Sequence, residues 1–393
     1  MMKKIAVVTT TRADYGILKP LIQKLIKVPQ FETCLLVTGT HLERAFGETI
    51  KEIQTDNFPI YWKKKILEPG DTPLDTSKTV ANALRFFAEH FQQERIEGKP
   101  YDLVIVLGDR TEMLGICLAC LNEGIPIAHL HGGERSEGVV DEQIRHSITK
   151  MSYLHFPATK EYGKRIHQLG EQEDRIFVVG ALGVENVFRA KLLKEQEIRK
   201  YLNLNEEQSY CVVTYHPITL PGESVEAQAA GLIQFIRKHT EVQFIITKAN
   251  SDVGGRKMNQ LFEELDHQLD HVHLVSSLGM ERYLSAVRYA IAVIGNSSSG
   301  IIEVPAFHVP VINIGNRQKG RISSSSVIHT DESYSEIEKA YKLICQKEVL
   351  FEDSPYGDGN TSDRIIEILK KELLEKKKTT EKQFYDMNWE EEY

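Results

Sequence analysis

The residues of this chain best suited to chemistry stand directly behind short apolar runs. Arg12 and Asp14 follow the run 5–9, Asp109 and Arg110 follow 103–107, and His131 and Glu134 follow 125–130. Carboxylates and an imidazole at such rims can take and return protons, and a guanidinium can hold phosphate in a bidentate fork. Glycines sit among them: Gly108 lets the backbone turn before Asp109, and Gly132-Gly133 separate His131 from Glu134, which points to close backbone approach. Asp141 opens a helical stretch four residues before Arg145, so the two share one helix face and make at least a local ion pair. Asp14 reads either as the group that steers Arg12 toward a ligand or as a plain helix cap.

The second half carries a different chemistry. Behind the apolar run 289–294 comes GNSSSGIIE, Gly295 to Glu303, a small-residue loop that leads into a helix near Gly300. A strand feeding a helix N-terminus presents free N–H groups and the positive end of the helix dipole to an anion. Ser297 and Ser298 add hydroxyl donors there. Glu303, one turn on, would repel a phosphate but suits the two hydroxyls of a ribose, so serines and glutamate together spell a nucleotide. The plain alternative is a serine-capped strand-to-helix turn. His216, Asn250 and Arg317 also stand just after apolar runs, at 210–214, 242–247 and 309–314. No metal is expected, because His131 and His216 belong to different halves and no short-spacing ligand pair accompanies them.

The elements that must position these groups alternate strand-length apolar runs with helical stretches, the pattern of a parallel sheet covered on both faces. A first series has runs at 5–9, 34–38, 103–107, 125–130, 153–157 and 176–179; a second has runs at 210–214, 242–247, 272–275, 289–294 and 309–314. With 393 residues, more than one core usually supports, this predicts an α/β fold of two Rossmann-like domains facing a cleft. The boundaries expected are 1–182, completed by a C-terminal helix at 362–380, and 183–361. Ligands of such sheets bind beyond the carboxyl ends of the strands, where the polar clusters fall.

Composition excludes other classes. Forty-eight basic against 56 acidic residues argue against a nucleic-acid partner, with Lys63–Lys65 and Lys376–Lys378 as solvated faces. No stretch approaches the ~20 apolar residues of a membrane span, and the N-terminal apolar run stops at Val8, before Arg12 and Asp14, so no export signal is expected. Five scattered cysteines fit reduced thiols in a cytoplasm. Cys117 and Cys120 have redox spacing but sit in an apolar helical run without a second pair, and are expected as buried structural thiols.

On these residues the chain resembles the hydrolysing UDP-N-acetylglucosamine 2-epimerases of bacterial sialic acid biosynthesis. The resemblance runs through TTRADYG, GDRTEM, HLHGGE, DEQIRHSITKMS, VTYHP, GNSSSGIIEVPAF and INIGNRQKGR, in order and over nearly the whole chain. It implies the glycosyltransferase-B architecture, no cofactor, and a homo-oligomer, dimer or tetramer. It implies a UDP-sugar substrate bound through Arg12, Arg110, His216, Asn250, Ser297, Ser298, Glu303 and Arg317. Asp109 and Asp141 fall on the family's acid–base positions, with His216 beside them. The chemistry implied is anti elimination of UDP to 2-acetamidoglucal, then syn addition of water to give N-acetylmannosamine. One departure stands at His131, where animal bifunctional and non-hydrolysing relatives carry glutamate, so that role passes to His131 or to Glu134. Relatives acting on UDP-2,4-diacetamido-trideoxyhexoses of legionaminic acid pathways, and glycosyltransferases of the same fold, are the competing readings.

Overall fold

The computed structural model describes residues 2–70, 72–137, 139–218, 224–249, 253–375 and 379–387. Asn250 therefore lies outside the described residues, as do Lys376–Lys378 within the expected C-terminal helix.

Two parallel sheets of six strands carry the molecule. The first contains β1 (Lys3–Thr9), β2 (Phe31–Val37), β3 (Ile60–Lys63), β4 (Leu103–Leu107), β5 (Ile127–Leu130) and β6 (Leu154–Phe156), in the order β3-β2-β1-β4-β5-β6. The second contains β7 (Tyr210–Thr214), β8 (Gln243–Thr247), β9 (Val272–Val275), β10 (Ala292–Gly295), β11 (Val311–Ile314) and β12 (Val327–Thr330), in the order β12-β11-β10-β7-β8-β9. Both orders reverse direction beside the first strand of the sheet, β1 or β7, and the crevice at such a reversal is where open α/β sheets bind ligands. Helices cover both faces, so the central strands are buried throughout; β4 reads LVIVL and β7 reads YCVVT without an exposed residue.

Two sequence expectations change. The run 176–179 forms no strand and contributes a single parallel bridge, Ile176 to His155. Conversely β3 and β12 were not anticipated. They are four-residue edge strands, IYWK and VIHT, in which only Val327 is buried, so neither presents an unbroken apolar run.

The C-terminal helix Thr361–Lys370 returns to the first sheet. Its Ile365, Ile366 and Leu369 share a core cluster with Ile5, Val7, Leu18 and Leu182. Glu185, fully buried on the helix Leu182–Arg189, receives the Ser362 backbone N–H at 2.7 Å and the Lys24 ammonium at 3.0 Å, which fixes that return. Cys117 and Cys120 are fully buried thiols on the helix Thr111–Asn122, with pKa values raised by burial. Among the described residues no helix is long and apolar enough to cross a membrane.

Candidate active site

At the end of β10 the chain turns through Gly295, φ 145°, where a Cβ would stand 2.0 Å from the Thr214 carbonyl oxygen. Only glycine lets β10 end this close to β7. Asn296 then ties three loops together. Its side chain accepts from the His216 N–H at 2.8 Å and donates to the His216 carbonyl at 2.7 Å. Its carbonyl accepts from Arg317 Nη1 at 3.1 Å and Gln318 Nε2 at 2.8 Å. Ser297 caps the short helix Ser298–Ile302 through the Ser299 N–H, and the Ser299 hydroxyl meets the Tyr283 hydroxyl at 3.0 Å. A cavity of about 200 Å³ opens here, lined by Arg12, His216, Ser297, Ser298, Glu303 and Arg317 among others.

Arg12 comes from the other side of the cleft. It is the first residue of the helix Arg12–Leu25 and donates through Nη1 to the Ser276 carbonyl at 3.3 Å. Asp14 does not steer it. Asp14 accepts from the Thr10 and Thr11 N–H groups at 2.9 and 3.0 Å and stands at N3 of a capping box whose N-cap is Thr11, so it supports the helix start without being the cap itself. Glu303 is buried with Oε2 free of any hydrogen bond, and burial raises its pKa against the opposing pull of His131. A Cβ on Gly183 would lie 2.0 Å from Glu303 Oε1, so the carboxyl occupies space that a larger residue would close.

A second cavity, about 170 Å³, shares Ala13, Ile17, Ser298, Glu303 and Arg317 with the first and continues it along the cleft. Asp109, Arg110, His131, Glu134, Asp141 and Arg321 line its far wall. The sequence-predicted residues thus fall into two adjoining groups, hydroxyls and cations at one end, acid–base groups at the other. Arg110 also caps the helix Thr111–Asn122 by position and donates through Nε to Glu112 at 2.7 Å.

Arg145 organises the acid–base wall. Its guanidinium, 1% exposed, donates to Asp109 Oδ2, to the Ser136 hydroxyl at 2.7 Å, to the Glu134 carbonyl at 3.0 Å and to Glu142 Oε2 at 3.0 Å. Arg145 thus serves one helix neighbour, Glu142, and three groups from outside its helix, and Asp141 begins the helix Asp141–Met151 at the cavity edge. Burial would push the Asp109 carboxyl up, but Arg145 and then Arg321 overcome it and hold its pKa below the usual range. Glu134 behaves likewise: burial opposes its charge, Arg321 and His131 more than offset that, and its pKa settles at about 2.

The two histidines of HLHGGE have different duties. His129 is fully buried beneath the loop, with Nε2 to the Gly108 carbonyl at 2.7 Å and Nδ1 to Thr149 at 3.1 Å; burial lowers its pKa to about 3. His131 turns into the cavity on a left-handed backbone, φ 63°. Gly133 follows with φ 76°, where a Cβ would meet the Tyr162 carbonyl oxygen at 2.3 Å.

The spacing placed neither Asn296 nor Arg321 at the site, and it showed Arg145 only as a helix neighbour of Asp141. Arg321 crosses the cleft to Glu134 Oε2 at 2.9 Å, and its buried Nε and Nη1 make no hydrogen bond. The signal available was only that a basic stretch follows an apolar run. A third cavity, about 630 Å³, opens beyond Arg110 and Asp141 and is walled partly by Ala45, Phe46, Leu67 and Val140.

Twin parallel sheets with their strand ends lining a common cleft define a protein of the glycosyltransferase-B architecture. The solved UDP-N-acetylglucosamine 2-epimerase of Neisseria meningitidis, bound to UDP-GlcNAc in its crystal, has the same fold, with a TM-score of 0.77 over 94% of this chain and 100% of that one at 18% identity. The family model for UDP-N-acetylglucosamine 2-epimerase matches residues 23–370. The UDP-N,N′-diacetylbacillosamine 2-epimerase (hydrolyzing) of Legionella pneumophila is 34% identical over 371 residues, 94% of this chain and 96% of that protein. The GDP/UDP-N,N′-diacetylbacillosamine 2-epimerase (hydrolyzing) of Campylobacter jejuni is 36% identical over 347 residues, 88% of each chain. The chain belongs to the UDP-N-acetylglucosamine 2-epimerase family.

Proposed function

We propose that the protein is a hydrolysing 2-epimerase of a UDP-linked 2-acetamido sugar, releasing UDP and the free C2-inverted sugar. The observation that carries this reading is the adjoining pair of cavities with a common wall at Ser298, Glu303 and Arg317. UDP occupies the end with Arg12, His216, Ser297, Ser298 and Arg317, its ribose toward Glu303, and the sugar reaches Asp109, Arg110, His131, Glu134 and Asp141. The C2 proton of a ground-state sugar is not acidic. It becomes removable as the C1–O bond loosens and positive charge grows at C1, so a base at C2 and cations at the departing diphosphate act together. The C2–H electron pair becomes the C1=C2 bond, and the C1–O pair leaves with UDP. Water then adds, hydroxyl to C1 and a proton to C2 on the other face. Two domains, 1–182 with 362–380 and 183–361, close around the cleft in this scheme and govern the entry of water.

The preferred sugar is N,N′-diacetylbacillosamine. Two relatives at 34% and 36% identity are named for it, and the partly apolar cavity beyond Arg110 gives room for a second acetamido group and a methyl. UDP-N-acetylglucosamine is the second reading, favoured by the family model and the motif resemblance. Purified protein with each UDP-sugar in heavy water separates them by NMR. The expected result is free C2-inverted 2,4-diacetamido sugar bearing deuterium at C2, formed faster than N-acetylmannosamine; the reverse order of rates overturns the preference. A product without C2 deuterium on either sugar points to a glycosyltransferase instead.

Glu303→Ala is expected to weaken UDP binding by roughly 1.5–3 kcal/mol, the contribution of a hydrogen bond to a charged group. Unchanged UDP affinity in calorimetry removes Glu303 from the ribose.

A further inference from the structure

We propose that His131 is the base that takes the C2 proton, through Nε2, and that Glu134 and Arg321 form a positioning relay, closed across the cleft, that fixes its tautomer. The proposal rests on the 2-epimerase reading of the site.

The geometry carries it. His131 Nδ1 lies 2.7 Å from Glu134 Oε1. The other oxygen of that carboxylate, Oε2, lies 2.9 Å from Arg321 Nη2. A carboxylate accepts and does not donate, so Nδ1 carries a proton, and in the neutral ring Nε2 keeps its lone pair. Nε2 is buried and has no hydrogen-bond partner, and His131 lines the acid–base cavity together with Ser298 and Glu303. Glu134 itself is badly placed to move the C2 proton. Its side chain is 1% exposed, and each oxygen is already engaged, one by the imidazole and one by a guanidinium.

The backbone supports the same assignment. Left-handed φ is the province of glycine, and a histidine there stores strain of order 1–3 kcal/mol. Glycines stand at the next two positions, yet position 131 keeps an imidazole at φ 63°. From this backbone position His131 lines the acid–base cavity.

The relay also joins the two sheets. His131 and Glu134 follow β5 of the first sheet, and Arg321 follows β11 of the second. Alongside it the Glu137 N–H donates to the Lys319 carbonyl at 3.1 Å, and Lys319 Nζ pairs with Glu137 at 3.3 Å. The His131–Glu134 pair lies within one loop, and Arg321 completes the relay only where the two loops meet. In the step itself, Nε2 takes the C2 proton, the C2–H pair forms the C1=C2 bond, and UDP departs with the C1–O pair. The imidazolium then gives its proton to solvent, and the hydrating water supplies the hydroxyl at C1 and the new proton at C2.

The test combines ring nitrogen NMR with C2 exchange. In ¹⁵N-histidine protein, the His131 signals, assigned by their loss in His131→Gln, should show that the neutral ring is protonated at Nδ1 and bare at Nε2. His131→Ala should lose UDP release and C2 deuterium incorporation together, by a factor on the order of 10² or more, and added imidazole should restore both in a concentration-dependent way. Glu134→Gln should shift the tautomer and lower kcat with little change in KM, while UDP affinity by calorimetry stays at wild type. Should that variant fail to fold, Glu134→Asp, which keeps charge but shortens its reach, should show the same split. A neutral wild-type ring protonated at Nε2, wild-type exchange in His131→Ala, or a Glu134 variant that raises KM alone overturns the relay. The underlying reading fails differently: the wild type itself would then release no UDP from either sugar, whatever the tautomer.

Discussion

Asp109→Asn is expected to lower turnover by a factor on the order of 10² or more while UDP affinity, measured by calorimetry, stays at wild type. Asp109 lines the cavity that the proposed function gives to the sugar and is absent from the lining of the one it gives to UDP. It is held ionised there against burial by Arg145 and Arg321. In the proposed scheme an anion in this cavity stabilises the positive charge that grows as UDP leaves, and asparagine keeps the shape without that charge. A carboxyl with a depressed pKa is a weak base, which fits this electrostatic role alongside a histidine base. The kinetic signature discriminates. Loss of kcat with KM unchanged identifies an interaction made in the transition state, whereas equal losses in binding and turnover identify a residue that positions Arg145.

Much of the site was legible because strands end where apolar runs end. β4, β5 and β10 stop within a residue or two of Asp109, His131 and Asn296, so the polar clusters read from the sequence face the cleft as a group. What the sequence withheld is what depends on contacts between distant segments. Arg145 looked like an i,i+4 partner of Asp141, because helical spacing exposes local neighbours; its binding to Asp109 depends on how β4 and the helix Asp141–Met151 meet. Arg321 stands far along the chain from Glu134, and no local period announces that pairing. Strand β3 was illegible for another reason. Trp62 stacks on His90 and Tyr61 contacts Tyr101, so its side chains are partly covered by a helix and a loop rather than set in an apolar run. The run 176–179 shows the converse, since Val178 is exposed and apolar composition there does not produce a sheet strand.

Arg145→Met is expected to be the most destabilising single change at this site, by about 3–5 kcal/mol at neutral pH, the usual loss when one partner of a buried ion pair is removed. Methionine fills the space of the stem but leaves the Asp109 carboxylate, the Glu134 carbonyl and the Ser136 hydroxyl without their shared donor. Arg145→Lys should recover only part of this, because an ammonium cannot span four partners as the planar fork does. Acid should narrow the gap. The folded-state pKa values of Asp109 and Glu134 lie below their ordinary values of 3.8 and 4.5, with Glu134 at about 2. Their contribution to wild-type stability is therefore present above about pH 4.5 and is lost as pH falls toward 2. In the variant the buried Asp109 charge is costly, and protonation relieves that cost, so wild type and variant should converge as the solution is acidified. Urea midpoints with their slopes, taken at pH 7 and at about pH 3, inside that window, measure this directly. A gap that is equal at both values would mean that Arg145 stabilises the fold by packing and hydrogen bonding, with its charge playing no part.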